Sequence, residues 1–314
     1  MQLTVGSGSR HGAHPAKFNS VQILRALAAN LVVLTHAHAV ELKYSPDGTV
    51  LPGWSSQAGP IGVDLFFIIS GFVIIQAASR ETWRTFLYAR ITRIYPIYWI
   101  VSSLVLVAWL WRPDMVNSSV TGEISIWKSY LLVPQDTGPL LAVGWTLTYE
   151  MYFYLVVAAM LVAGVRPAVV LAAWAAALIA MWPFVAPANA ALVVLTDPIT
   201  LFFIFGALLG LSIQARRTPR KRKPSRIGRF FVLLGDASYS TYLVHVLVIS
   251  AIWRVAQVLP WQPSAVVLAG IGFLASNAAG VASYYVLERP ILRWARAFGG
   301  REAHGTVGTR TSES

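Results

Sequence analysis

The stretch FNSVQILRALAANLVVLTHAHAV, Phe18 to Val40, decides the fold. It is long and apolar enough to cross a bilayer as one helix, yet it carries Arg25 and His36. The two are eleven positions apart, about three full turns at about 100° per residue, so both side chains share one helix face. The rise between them is roughly 16 Å, about half of a hydrocarbon core. Two ionisable groups along one face are costly in lipid, so that face is expected to meet protein, water or a ligand. A buried polar channel beside this helix is the place to look for chemistry.

Composition agrees with a membrane protein. Of 314 residues, 56% are hydrophobic and only 12% charged, and the mean hydropathy is +0.60. A soluble domain carries about a quarter charged residues. The absence of cysteine excludes disulfides, iron–sulfur clusters, thiolate metal sites and a cysteine nucleophile. No metal site is expected. The start, residues 1–17, is polar and glycine-rich without a cleavage pattern, so it reads as a disordered tail and not a signal peptide. Residues 299–314 read as a second disordered tail. The net charge of +12 is explained by cytoplasmic loops and anionic lipid, and no nucleic-acid partner is expected.

Between the tails, residues 18–298 form one expected transmembrane domain. Apolar stretches of spanning length fall near 19–40, 60–79, 91–111, 142–163, 167–185, 189–213, 231–255 and 264–288. The fold class is therefore an all-α integral membrane protein, a polytopic helical bundle of 8–10 transmembrane segments. The short apolar run Ile124–Pro134 is expected to be interfacial or re-entrant, and Pro183 and Pro187 break the region after the fifth stretch. With both termini cytoplasmic, twenty of the twenty-five basic residues lie inside and four outside, with Arg25 within a span. The densest block, in the loop 214–229, is a solvated positive-inside loop beside anionic lipid. This orientation makes the chain a multi-pass membrane protein.

Orientation gives each unusual residue a depth. His36 falls toward the outer end of the first span, with Arg25 near its inner end. Asp64 falls near the outer start of the second span and Glu150 about two turns into the fourth, whereas Arg90 and Arg93 mark the inner end of the third. His245 lies past the middle of the seventh. Carboxylates and histidines thus collect in the outer half and arginines in the inner half. Guanidinium groups pair bidentately with phosphate, which suits a cytosolic phosphorylated donor. Imidazole and carboxylate suit proton transfer at a hydroxyl. Structural readings stand beside these. Arg90 and Arg93 could snorkel to headgroups, Asp64 could cap a helix, and Asp236 reads as the N-cap of the seventh span. His38, turned away from His36, reads as a packing residue. An intramembrane Glu150, flanked by Trp145, Tyr149, Tyr152 and Tyr154, reads as functional.

Taken together, these motifs resemble the membrane-bound acyltransferase-3 family, whose bacterial members O-acylate exopolysaccharides, lipopolysaccharide O-antigens and related glycans. The family's arginine, ten residues, histidine signature falls on Arg25 and His36. GVDLFFIISGFVI (Gly62–Ile74) is similar to its Ser-Gly-Phe block, and RITRIYPIYW (Arg90–Trp99) to its paired-arginine block. WTLTYEMYFY (Trp145–Tyr154) matches the block that carries a glutamate, here Glu150, with Thr146 where serine is commoner. SYSTYLVH matches at Ser238, Tyr239, Tyr242 and His245, and LERP (Leu287–Pro290) resembles the closing element.

The resemblance implies an O-acetyltransferase. It needs no permanently bound cofactor and uses acyl-CoA, most often acetyl-CoA, as donor. The acceptor is a glycan or lipid-linked sugar. Arg25, Arg90 and Arg93 would bind the donor. His36 would act as general base with Glu150 or Asp64 orienting it, or would form an acyl-imidazole. Tyr149, Tyr239, Tyr242 and His245 would contact the substrate or support the residues that do. The location implied is a bacterial inner membrane. Nothing in the sequence addresses oligomeric state. The rival reading is a proton-coupled transporter or flippase, against which no internal repeat is found.

Overall fold

The computed structural model describes residues 19–44, 51–112, 124–184, 189–214, 225–261 and 263–305. The expected N-tail (1–17), most of the basic loop and the end of the C-tail lie outside these residues. So does Pro187. The described chain is helical throughout: α1 Asn19–Tyr44, α2 Ser55–Ala78, α3 Trp83–Trp111, α4 Ile126–Leu131, α5 Gly144–Ala163 and α6 Pro167–Met181. Then come α7 Ala190–Thr196, α8 Thr200–Gln214, α9 Arg226–Asp236, α10 Ser238–Gln257, α11 Ala265–Ser283 and α12 Arg289–Gly305. A π-helical turn, Tyr284–Glu288, joins the last two. The final helix runs past residue 299, where the tail was expected to begin.

Seven helices among the described residues are long and apolar enough to cross a membrane, with α7–α8 and α11–α12 each counted as one. The eighth expected stretch is α6. Its fifteen residues rise about 22 Å, and the 3₁₀ turn Trp182–Phe184 that continues it adds about 6 Å, which brings the segment close to a hydrocarbon core of about 30 Å. The break in α7–α8 falls at Asp197–Pro198, where proline removes a backbone donor.

Helix starts depart from the apolar windows in an instructive way. Thr82 and Thr85 form a capping box that starts α3 at Trp83, eight residues before the window at 91. Arg93 therefore sits ten residues, roughly 15 Å, into the helix and not at its end. α2 likewise begins at Ser55, so Asp64 lies nine residues inside it and caps nothing. The expected seventh stretch divides at Ala237, which is the N-cap of α10, so Asp236 ends α9 and does not cap α10. The Ile124–Pro134 run is too short to cross. Instead α4 lies across α3, held by Tyr98 Oη on Ser129 O at 2.6 Å, Tyr95 Oη on Leu131 O at 2.9 Å and Trp99 Nε1 on Tyr130 O at 2.9 Å.

α1 packs against α2, α9, α10 and α11, and α2 in turn packs against α8 and α5. Small residues let the backbones meet, as expected where lipid supplies no hydrophobic drive between helices. A Cβ at Gly71 would strike the Phe203 carbonyl oxygen, and one at Gly206 the Ile68 carbonyl oxygen. The face of α1 that carries Arg25 and His36 looks onto protein, while Ile23, Leu24, Leu27 and Leu42 on the same helix are exposed.

Candidate active site

A cavity of about 840 Å³, including its open mouth, lies between α1, α2, α3, α5 and α10. Arg25 enters it from α1, Ser70 from α2, Arg90 and Arg93 from α3, Thr146, Glu150 and Tyr154 from α5, and Ser238, Tyr239 and Tyr242 from α10. The rest of the wall is apolar, including Phe66, Phe67 and Ile94. The expected channel beside α1 is thus present at the Arg25 end.

Three consecutive residues at the start of α10 tie the site together. Ser238 Oγ accepts from Arg25 Nε at 3.1 Å. Tyr239 Oη donates to Ile94 O of α3 at 2.7 Å. Ser240 Oγ donates to Glu288 Oε2 at 2.7 Å. One tripeptide therefore fixes α10 to α1, α3 and the π turn.

Glu288 is 2% exposed. Proline at 290 cannot supply the N–H that an α-helix would offer to residue 286, and the chain widens into the π turn that carries Glu288 inward. Sequence reasoning gave Glu288 no role, although its place two residues before a proline was the available signal.

Three guanidiniums meet two carboxylates here. The charge of Arg25 lies among those of Arg93, Glu288 and Glu150. Glu150 Oε1 accepts from Tyr154 Oη at 2.6 Å and from Ser70 Oγ at 3.5 Å. Arg90 stacks over Phe86 at 5.3 Å, and its Nε is buried without a hydrogen-bond partner. Among the described residues none of the three arginines is in an ion pair. A buried donor left unmatched is costly, so the cluster is suited to an anionic ligand that brings its own acceptors. The expected sorting by depth fails for Glu150. It belongs with the arginines, because α3 starts early and carries Arg90 and Arg93 to its level.

The histidines stand outside the cavity lining. His36 Nδ1 lies 3.3 Å from His245 Nε2 and 3.0 Å from Val32 O. His245 Nδ1 lies 3.2 Å from Thr241 O, and the two rings meet edge to face with centroids 4.8 Å apart. His245 is fully buried, whereas His36 is part-exposed. Tyr242 links the two regions. It lines the cavity, packs on the His245 ring at 5.8 Å, and hydrogen-bonds Thr146 Oγ1 at 2.7 Å.

Among the described residues no hydrogen bond joins Glu150 or Asp64 to His36. Asp64 lines no part of the cavity. Tyr149 is also apart, donating to Asp197 Oδ2 at 2.7 Å and packing against Phe67 and Trp145. His38 meets Ser55 Oγ at 2.8 Å in a buried pair, in keeping with its packing role.

A family model described as "Acyltransferase domain" matches residues 18–233. The match holds the Arg25–His36, Arg90–Arg93 and Glu150 elements and stops short of Ser238–His245 and Leu287–Pro290. The exopolysaccharide production protein ExoZ of Rhizobium meliloti (strain 1021) is 30% identical over 302 residues, covering 76% of this chain and 91% of that protein. No solved structure matches the chain.

Proposed function

The chain belongs to this acyltransferase family, and from that premise we propose that it carries an acyl group, acetyl above all, from cytosolic acyl-CoA to a hydroxyl of a cell-surface or lipid-linked polysaccharide. The observation that carries the donor assignment is the set of three arginines in one cavity, without ion pairs among the described residues and one with a buried unpartnered Nε. Phosphates of CoA supply both charge and acceptors for such a set. Apart from the arginines, Glu150 and the hydroxyl-bearing residues the wall is apolar, with Phe66, Phe67 and Ile94 among its members, which suits the uncharged pantetheine arm. The similarity to an exopolysaccharide production protein supports the acceptor class.

With α6 taken as an eighth crossing, the distribution of basic residues, twenty inside and four outside, supports a cytosolic mouth at the arginines and both termini in the cytoplasm of a bacterial inner membrane. His36 then lies toward the far side of α1. There it takes the proton of the acceptor hydroxyl at Nε2 while the hydroxyl oxygen forms its bond to the thioester carbonyl carbon. The carbon–sulfur bond breaks as the tetrahedral centre collapses, and the proton passes from His36 to the departing CoA thiolate. Attack by His36 itself, giving an acyl-imidazole, is the second route to the same products.

Ester analysis of surface polysaccharide tests this reading. A deletion strain is expected to lose an O-acyl group, and the wild-type gene to restore it. Restoration by His36→Ala would sink the assignment of His36. Sugar flux across membranes without any acyl-CoA would favour the transporter reading.

A further inference from the structure

His36 needs an orienting partner to serve as a base, and no carboxylate hydrogen-bonds it among the described residues. The partner present is a second histidine. From this geometry we infer that His245 is the positioning residue for His36, fixing its tautomer and stabilising the imidazolium formed during transfer.

The proton positions follow from counting donors and acceptors. His36 Nδ1 faces the Val32 carbonyl at 3.0 Å and His245 Nδ1 faces the Thr241 carbonyl at 3.2 Å. A carbonyl oxygen only accepts, so both Nδ1 atoms carry the hydrogen. A neutral imidazole with hydrogen on Nδ1 has its lone pair on Nε2. His245 Nε2 is therefore an acceptor, and at 3.3 Å it shares the His36 Nδ1 hydrogen with Val32 O. The only lone pair left on the His36 ring is at Nε2. That is the atom the proposed transfer requires as base.

Burial makes the arrangement one-sided. His245 is fully buried, its Nδ1 is tied to its own helix, and Tyr242 packs on its ring. Its remaining ring nitrogen, Nε2, faces His36 Nδ1 at 3.3 Å. When His36 Nε2 takes the hydroxyl proton, the new positive charge strengthens the Nδ1–H bond to His245 Nε2. A neutral acceptor does here what a carboxylate does in a serine hydrolase triad, and no buried negative charge is required.

The inference rests on His36 being the base. It is tested with three substitutions at 245 and one at 36 in the full-length protein in membranes, measuring acyl transfer from acetyl-CoA at saturating and limiting donor. His245→Gln places an amide oxygen near the Nε2 position, where it accepts the same hydrogen. His245→Asn places its oxygen at the Nδ1 position, short of His36, and His245→Leu offers no acceptor. The expected result is a kcat for Gln within about tenfold of wild type and a fall of about a hundredfold or more for Asn and Leu, the scale of a lost acid–base contribution. Donor KM stays within about twofold in all three, since the arginine cavity is untouched. Equal loss in Gln and Asn, or full activity in Leu, overturns the inference. If Leu fails to fold, the Gln-to-Asn difference decides it. Full activity in His36→Ala would instead overturn the proposed function.

Discussion

At the scale of residues, the site divides its labour between charge and proton transfer. Removing Arg25 takes away a guanidinium fixed by Ser238 in the middle of the cavity wall. Arg25→Ala is expected to raise donor KM about ten- to hundredfold, the worth of one charged hydrogen bond, with kcat less affected. Donor saturation that does not move would remove Arg25 from this role. Arg90→Lys tests the fork geometry. Lysine keeps the charge but cannot present two parallel donors, so weakened donor use is expected, and wild-type KM would show that charge alone suffices. Arg25, Arg90 and Arg93 were legible in the sequence as residues too polar for their surroundings. What pairs with what was not. His36 and His245 are 209 residues apart, and only the packing of α1 against α10 joins them. Glu150 has the residue type expected of a partner for His36, yet its own helix supplies Tyr154 four residues on, and it bonds there.

At the scale of elements, the glycine contacts between α2 and α8 set the frame in which the cavity exists. Gly206→Ala forces a methyl group against the Ile68 carbonyl oxygen, so the helices must separate. A loss of about 1–3 kcal/mol is expected, read as a lower Tm in detergent, as for other overpacked cores. Gly270→Ala is the control, because nothing lies within 4 Å of a Cβ there. Equal melting of the two variants would contradict the close approach of α2 and α8. The apolar windows located every long helix, since hydrophobicity is what a bilayer demands. They misplaced starts where polar residues belong to the helix, as at Trp83 behind its Thr82–Thr85 cap and at Ser55. The π turn at Glu288 was beyond hydropathy altogether, because it depends on the amide that Pro290 lacks.

At the scale of the whole molecule, the proposed topology and the proposed chemistry stand together. The chain has no cysteine, so single cysteines report sidedness without background. Arg80→Cys, between α2 and α3, is expected to be shielded from a membrane-impermeant maleimide on intact cells. Trp261→Cys, between α10 and α11, is expected to react. The reverse pattern would invert the bundle and place the arginine mouth away from cytosolic CoA. With the mouth at the cytosol, the roughly 16 Å from Arg25 to His36 becomes the path of the donor's extended arm through half the membrane. The most direct test of that account is transfer by the purified protein in liposomes, using acyl-labelled acetyl-CoA and the acceptor polysaccharide. The account predicts label on the polysaccharide that depends on the donor and falls by about 10²–10⁴-fold in His36→Ala. Undiminished transfer by that variant would contradict it.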